Sequence, residues 1–122
     1  MANENFPREY RIVTPKNFDY VFKDPIRAAS PYLTVLAKSS GLPFPRLGLI
    51  VPKKALKRAV WRNRVKRLIR ENFRKSKQNL ENIDIVIIAK NGINNLSNEE
   101  LDLLVTKLCK TISHRYKKQV VS

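Results

Sequence analysis

The sequence is short of the residues that build catalytic centres and covalent frameworks. Its 122 residues include one cysteine, Cys109, and one histidine, His114. A single cysteine excludes an internal disulfide framework, and the two residues together leave no thiol or imidazole cluster for zinc. They fall five positions apart on different faces of a predicted helix, so they supply no set of nucleophile, base and orienting group. We therefore expect no catalytic or metal-binding site built from protein side chains.

Long apolar runs are also missing. No stretch approaches the ~20 apolar residues that cross a bilayer, and the start MANENFPREYR lacks the basic end and apolar core of a signal peptide. These absences predict a cytoplasmic protein with no membrane partner, and the lone thiol suits a reducing compartment. The length suits a single domain over residues 1–122.

Acidic residues are scarce in comparison with basic ones. The chain has ten Asp and Glu residues and 25 Lys and Arg residues, which gives a formal net charge of +15. Solubility of a small domain requires a net charge of only about 2 to 8. Residues 53–77 hold twelve Lys and Arg against one acid, Glu71, and so carry most of the excess. Such concentration indicates a polyanionic partner.

The basic segment has the pattern of an amphipathic helix over about residues 58–76. At about 100° per residue, one contiguous arc is apolar. Its members are Trp61, Val65, Leu68, Ile69 and Phe73. The opposite face collects Asn63, Arg64, Lys66, Arg67, Arg70 and Arg74. The helix can therefore bury one side against a core and present the other, rich in cations, to solvent.

That cationic face differs from an ordinary solvated helix surface, which carries charges of both signs. Like charges at (i, i+3) and (i, i+4) repel by a few tenths of a kcal/mol per pair, and Glu71 alone cannot pair them. Arginine outnumbers lysine here, and its planar guanidinium forms bidentate contacts with phosphates. We therefore predict an RNA-binding surface, with Asn63 able to donate and accept at a base edge or a 2′-hydroxyl.

Helices and strands alternate along the rest of the chain. Thr14 before Pro15 predicts a helix over about 15–23, and a Ser97/Glu100 capping box predicts another over about 98–116. Apolar runs predict strands at 32–37, 47–51 and 83–89, the first two as antiparallel neighbours and the third covered on both faces. The fold class is α+β, a mixed sheet of about four strands packed by helices.

From Lys53 to Arg74, the segment KKALKRAVWRNRVKRLIRENFR resembles the signature of the bacterial ribonuclease P protein component, whose hallmark is Arg-Asn-Arg with flanking Lys-Arg and Arg residues. NFDYVF (17–22), RLGLIV (46–51) and IDIVIIAK (83–90) extend the similarity. The resemblance implies an α/β sandwich, like domain 2 of ribosomal protein S5, with a left-handed crossover around the motif helix. It also implies an endoribonuclease subunit that assists removal of the 5′ leader from precursor tRNA.

In that family the catalytic RNA carries the chemistry with Mg²⁺, so the implied partners are this RNA and precursor tRNA, with no small-molecule substrate. The resemblance assigns RNA contacts to Lys53, Lys54, Arg58, Arg62, Asn63, Arg64, Lys66, Arg67 and Arg70. It assigns a cleft for the single-stranded leader to Phe18 and Phe22, whose rings can stack on any base, and to Tyr32 and Lys90. Glycines usual in the family are missing from KDPIRA and KKALKRA, and Leu36 replaces an aromatic found in some relatives.

The residues alone leave other interpretations open. Phe18 and Phe22 lie at core spacing on a short helix, and Arg62 borders the buried arc, where it can lie along the surface. A structural RNA-binding protein such as a ribosomal component would share the charge and need no leader cleft. A DNA-binding regulator and a protein nuclease are disfavoured by the three strands and by the lack of a carboxylate cluster or His pair.

Overall fold

The computed structural model describes residues 10–12, 14–76 and 80–121, with side chains described as far as Gln119. Helix α1 spans Pro15–Phe22 and is followed by strands β1 (Ile26–Ala29), β2 (Leu33–Ser39) and β3 (Arg46–Ile50). Helix α2 spans Ala59–Ser76, and strand β4 spans Ile83–Ala89. A short 3₁₀ helix, Ile93–Asn95, precedes the C-terminal helix α3, Asn98–Val121. The predicted α+β class, a mixed sheet with packed helices, is confirmed.

The four strands form one mixed sheet in the order β1-β2-β4-β3. Strand β2 runs antiparallel to β1 and β4, whereas β3 runs parallel to β4. Leu36 of β2 and Gly48 of β3 both face Val86 of β4 across the sheet register. The predicted pairing of residues 32–37 with residues 47–51 is therefore wrong. The two strands do run in opposite directions, but β4 lies between them.

The sequence of β4 explains why it occupies an inner position. Six of its seven residues are buried, as predicted for a strand covered on both faces. A strand of this kind buries the most apolar surface when it has a neighbour on each edge. Strand β3 can pair with it in parallel because α2 supplies the long crossover that parallel neighbours require.

Both outer strands are partly covered by other parts of the chain. The backbone N–H of Ile12 donates to the carbonyl of Leu47 at 2.9 Å, which places residues 10–12 beside β3. On β1, the guanidinium of Arg115 donates to the carbonyl of Arg27. These contacts reduce the number of unpaired backbone groups at strand edges, which otherwise promote association.

Helices α2 and α3 pack side by side on one face of the sheet. Val65, Ile69 and Phe73 are at most 4% exposed and join the main core with residues of the sheet and α3. The buried Asn72 links the helices, since its Nδ2 donates to Asp102 Oδ1 at 2.8 Å and to Thr106 Oγ1 at 2.9 Å. The predicted apolar arc of the basic helix is thereby confirmed.

Helix α1 covers the opposite face of the sheet with a smaller cluster. Its buried Val21 packs with Ile12, Leu36 and Val86, and Phe18 lies against this group. A Cβ at position 48 would come within 2.8 Å of the Phe18 ring, so Gly48 permits the close approach of α1. One short helix does not cover the whole face, and Ile50 and Ile88 remain partly exposed.

The helix ends follow the predicted capping residues. Thr14 caps α1 by accepting from the backbone N–H of Asn17 at 3.3 Å. Ser97 and Glu100 form the reciprocal capping box of α3, with distances of 2.9 and 3.1 Å. Helix α3 continues to Val121, beyond the predicted end near residue 116, and its contact with β1 through Arg115 helps to keep this extension on the body of the protein.

Candidate nucleic-acid interface

Helix α2 presents a solvent-facing row that we call the cationic ridge. It consists of Asn63, Lys66, Arg67 and Arg70. Asn63, Arg67 and Arg70 are exposed, and Lys66 is half-buried. Val60 begins the same face of the helix and is 66% exposed. The amphipathic pattern thus separates the ridge from the buried arc. Two guanidinium groups, one ammonium group and one amide lie next to one another on the outer face of the helix.

Arg70 lies where the ridge meets the N-terminal segment. Desolvation by burial, and then the nearby charge of Arg11, lower the pKa of the Arg70 guanidinium. An arginine with a lowered pKa is still cationic at neutral pH. Arg11 was not predicted as a site residue, because the segment around it has no periodic pattern that would place it beside α2.

The C-terminal end of α2 carries an internal ion pair. The guanidinium of Arg74 donates to both carboxylate oxygens of Glu71, one turn earlier. This hydrogen bond lowers the pKa of Glu71 and raises the pKa of Arg74. Glu71 therefore offsets the charge of Arg74, and three of the six other cations of α2 belong to the cationic ridge.

Two predicted RNA-binding arginines stabilise the start of α2. Arg62 Nη1 donates to the carbonyls of Leu56 and Lys57 at 2.8 and 3.1 Å. The guanidinium of Arg58 lies 5.3 Å from the centre of the Trp61 ring, within the range of a cation–π contact. Arg62 thus lies along the protein surface, whereas Arg58 remains exposed.

Arg64 is held by the chain itself. Its Nη2 donates to the carbonyl of Leu96 at 2.6 Å and to Asn98 Oδ1 at 2.8 Å, and its Nε donates to the same Asn98 oxygen at 3.0 Å. The side chain therefore fixes the start of α3 to α2. Sequence alone could not separate Arg64 from Arg67, because the partners of Arg64 lie more than thirty residues further along the chain.

The preceding turn carries two further predicted cations. Lys53 and Lys54 are exposed on the turn between β3 and α2. The backbone N–H groups of Ala55 and Leu56 donate to the carbonyl of Pro52 at 3.1 and 3.0 Å, which closes the turn without a glycine. Both ammonium groups therefore lie on the approach to the N-terminal end of the cationic ridge.

Phe18 and Phe22 form an aromatic pair on α1, with ring centres 6.4 Å apart and a tilt of 31°. Phe18 is half-buried against Gly48, whereas Phe22 is 43% exposed. The sequence left open whether this pair belongs to the core or to a ligand surface. Phe18 supports the packing, and the ring of Phe22 is available to solvent beside the partly covered face of the sheet.

Tyr32 and Lys90 lie at the ends of neighbouring strands. The backbone N–H of Lys90 donates to the carbonyl of Tyr32 at 2.9 Å, and Lys90 Nζ donates to the carbonyl of Ser30 at 2.9 Å. The Tyr32 ring is half-buried and packs against the main core and near Gly92. Tyr32 therefore belongs to the core cluster under α2 and α3, and not to the cluster under α1.

A buried ion pair that the sequence did not predict lies beside the cluster of apolar residues under α1. Arg46 Nε and Nη2 donate to the two carboxylate oxygens of Asp84 at 2.9 and 2.7 Å, and Asp84 is fully buried. This pairing raises the pKa of Arg46. The two residues are opposite each other in the parallel β3–β4 register, which explains the contact. The local sequence offered no signal, because that register depends on the crossover.

Within the part of the chain that the structure describes, no group of three or more His, Cys, Asp or Glu side chains could hold a metal ion. Over the same residues, no helix is both long and apolar enough to cross a bilayer. Cys109 is buried in the core, and desolvation raises the pKa of its thiol to about 12. The exposed cations and the aromatic pair are the candidate functional features of the described residues.

The sequence comparisons match this chain to ribonuclease P proteins. The family model Ribonuclease P matches residues 6–113. The chain is 48% identical over 118 residues to the ribonuclease P protein component of Pseudoalteromonas atlantica, covering 97% of this chain and 98% of the relative. It is 52% identical over 108 residues to that of Pasteurella multocida, covering 88% and 91%.

Solved structures agree with the sequence comparisons. The RNase P protein of Staphylococcus aureus has a TM-score of 0.79 at 28% identity, covering 85% of this chain and 97% of that one. The RNase P protein of Thermotoga maritima has a TM-score of 0.75 at 28% identity, covering 84% and 96%. These matches favour the ribonuclease P interpretation over a ribosomal component. The chain therefore belongs to the family of bacterial ribonuclease P protein components, subunits of a ribonucleoprotein enzyme.

Proposed function

We propose that this protein binds the catalytic RNA of ribonuclease P through the cationic ridge and the 5′ leader of precursor tRNA beside Phe18 and Phe22. The RNA would carry the chemistry, and the complex would remove the leader to give the mature 5′ end. The observation that carries the proposal is the separation of the two surfaces. The ridge lies on the helical layer, whereas the aromatic pair lies on the opposite face of the sheet.

The ridge has the chemistry of a phosphate-binding surface. Arg67 and Arg70 are exposed and each can donate two parallel hydrogen bonds to a phosphate. Arg70 also lies near the charge of Arg11, and a bound phosphate would offset the repulsion between them. Asn63 can hydrogen-bond a base edge or a 2′-hydroxyl between the phosphate contacts. These groups require no rearrangement of the helix to meet an RNA backbone.

Within the proposed leader site, the two rings have different roles. Phe18 packs over Gly48 and holds α1 at its distance from the sheet. The exposed ring of Phe22 can stack on a base, which is worth about 1–3 kcal/mol and tolerates any sequence. Partly exposed Ile50 and Ile88 continue an apolar surface beside the pair. Such tolerance suits leaders that share no sequence.

Magnesium is proposed to bind mainly to the RNA, in the cytoplasm indicated by the sequence. The acidic side chains of the described residues do not form a cluster that suits this ion, which prefers oxygen ligands. The protein would act by neutralising phosphates, so that less Mg²⁺ is needed to hold the RNA and its substrate together. Its contribution should therefore be largest at low Mg²⁺.

Reconstituted cleavage of precursor tRNA at low Mg²⁺ tests the proposal. We expect the purified protein to stimulate cleavage by the catalytic RNA, and R67Q/R70Q to require more protein for the same stimulation. Phe22→Ala should weaken binding of precursor tRNA by roughly 5- to 150-fold, the loss of one stacked base, and leave binding of mature tRNA unchanged. Absence of stimulation by the folded wild-type protein would contradict the proposed function.

A further inference from the structure

The C-terminal half of α3 carries a second basic surface that the assignments above do not use. Five cationic or titratable side chains lie on its exposed side, and we call them the α3 stripe. They are Lys107, Lys110, His114, Lys117 and Lys118. No Asp or Glu occurs after Asp102 in the sequence. Successive residues of a helix are about 100° apart around its axis, and the five positions fall within an arc of about 100°. They therefore share one face of the helix.

Helix electrostatics alone do not explain this stripe. Cations stabilise a helix C-terminus, but the effect is confined to about the last turn. Lys107 lies fourteen residues before Val121, roughly 21 Å along the axis at 1.5 Å per residue. Lys107 with Lys110, and His114 with Lys117, are also (i, i+3) neighbours that repel when both are charged. Lys117 has an anionic partner in Glu81, at 3.4 Å, but Glu81 lies outside α3.

The stripe and the cationic ridge lie on neighbouring helices of the same layer. Both helices cover the same face of the sheet, and their contacts advance together from Arg64 with Asn98 to Asn72 with Thr106. The helices therefore run side by side in the same direction. Packed helix axes are about 8–10 Å apart, so one RNA surface can contact both helices.

A cavity of about 470 Å³ adjoins the stripe near the C-terminal end of α2. Apolar side chains of Leu80 and Cys109 line it together with the polar Ser76, Thr106, Lys110, Ser113, His114 and Lys117. Hydroxyl and ammonium groups donate hydrogen bonds that phosphate oxygens accept. The cavity thus places neutral donors next to the charges of the stripe, which a merely solvated helix surface does not require.

We propose that the α3 stripe is a second phosphate-binding surface, which extends RNA contact from the cationic ridge across the helical layer. The inference rests on the proposed function, because it takes RNA as the polyanion. The ligand is the phosphodiester backbone of the catalytic RNA, because the stripe lies on the helix next to the ridge for which the same RNA is proposed. Leader binding beside Phe22 is separate, because that ring lies on the opposite face of the sheet.

Salt-dependent binding tests the stripe with the full-length protein and two RNAs, the catalytic RNA and a tRNA without a leader. For K107Q/K110Q, we expect the slope of log affinity against log salt to fall by about two units on the catalytic RNA, about one per lysine. A slope that falls only on the tRNA would contradict the catalytic RNA as the ligand. The matched control is K16Q/K23Q, which removes the same charge from two exposed positions, one in α1 and one directly after it, across the sheet.

A slope for K107Q/K110Q on the catalytic RNA no lower than that for K16Q/K23Q would overturn the α3 proposal. The variant R67Q/R70Q then separates the two claims. A reduced slope for R67Q/R70Q on the catalytic RNA would leave the proposed function standing without the α3 stripe. Unchanged slopes for all variants would overturn both. Because all the substituted side chains are exposed, thermal unfolding of each variant should match the wild type and exclude misfolding as the cause.

Discussion

At the scale of single residues, position on α2 decides what an arginine does. Arg64 and Arg67 are three residues apart, yet the first bonds to the start of α3 and the second faces solvent. Helical periodicity, which is local information, correctly predicted that Asn63, Arg67 and Arg70 face solvent. It could not identify the arginine that contacts α3, because that depends on where a distant segment packs.

Replacing Arg64 tests whether its contacts with the start of α3 stabilise the fold. Arg64→Ala should lower the free energy of unfolding by about 1–3 kcal/mol, since carbonyls and an amide oxygen lose a charged donor. Arg67→Ala should change it by no more than about 0.5 kcal/mol, as expected of an exposed side chain. Urea denaturation of both variants measures the difference. Equal values for the two would show that the contacts of Arg64 contribute nothing to stability.

The buried ion pair gives a second residue-scale prediction. Arg46→Ala should lower the free energy of unfolding by about 3–5 kcal/mol, because it leaves Asp84 buried without its cation. The double variant R46M/D84L removes both charges and should recover much of that loss. A chemical denaturation cycle over the wild type, the single variants and the double variant measures the coupling. A double variant no more stable than Arg46→Ala would argue against this account.

Cys109 links stability to alkaline pH. Burial raises the pKa of the folded-state thiol to about 12, above the ordinary value of about 8.5 in an unfolded chain. Only the unfolded state then loses this proton as pH rises from about 9 to 12, so stability falls over that window by about 1.4 kcal/mol per pH unit. The wild type should therefore lose more stability than Cys109→Ala between pH 8 and 10.5. Parallel pH profiles for the two proteins would show that burial does not perturb the thiol.

At the scale of secondary-structure elements, local patterns predicted three of the four strands and the three α-helices, but they did not place β1 or predict how the strands pair. The bounds of α2 and β4 follow from periodicity and apolar runs, and capping residues fixed the starts of α1 and α3. The predicted adjacency of β2 and β3 was wrong. A short connection favours a hairpin unless another strand competes for the same edge. Strand β4 competes successfully because it is apolar on both faces and reaches the sheet through the crossover.

The close packing of α1 against the sheet depends on the absence of a Cβ at Gly48. Gly48→Ala would bring a methyl group within 2.8 Å of the Phe18 ring, and Phe18 would have to move. We expect a loss of about 1–3 kcal/mol in unfolding free energy from overpacking. The same variant should weaken binding of a precursor tRNA relative to a mature tRNA, since Phe18 positions α1. Gly41→Ala is a useful contrast, because its strain comes from φ +70° and its Cβ would meet nothing within 4 Å.

Across the whole molecule, the sheet separates the two surfaces for which RNA contacts are proposed. The cationic ridge lies on the helical layer, and the aromatic pair lies on the other face. Charge density in the sequence predicted the cationic group, whereas the aromatic pair was assigned by resemblance to the family, because its spacing alone is also typical of a core. Sequence could not predict that Tyr32 packs with the main core or that Arg11 lies near Arg70, because both depend on long-range packing.

The salt dependence of binding to the catalytic RNA tests the central claim most directly, that one face of α2 stabilises the fold while the opposite face binds phosphate. For R67Q/R70Q we predict a salt slope lower by about two units than the wild type, with an unchanged free energy of unfolding. For Ile69→Val, a buried control, we predict an unchanged slope and a stability loss of about 0.5–1.5 kcal/mol. A slope for R67Q/R70Q equal to the wild type would contradict the account.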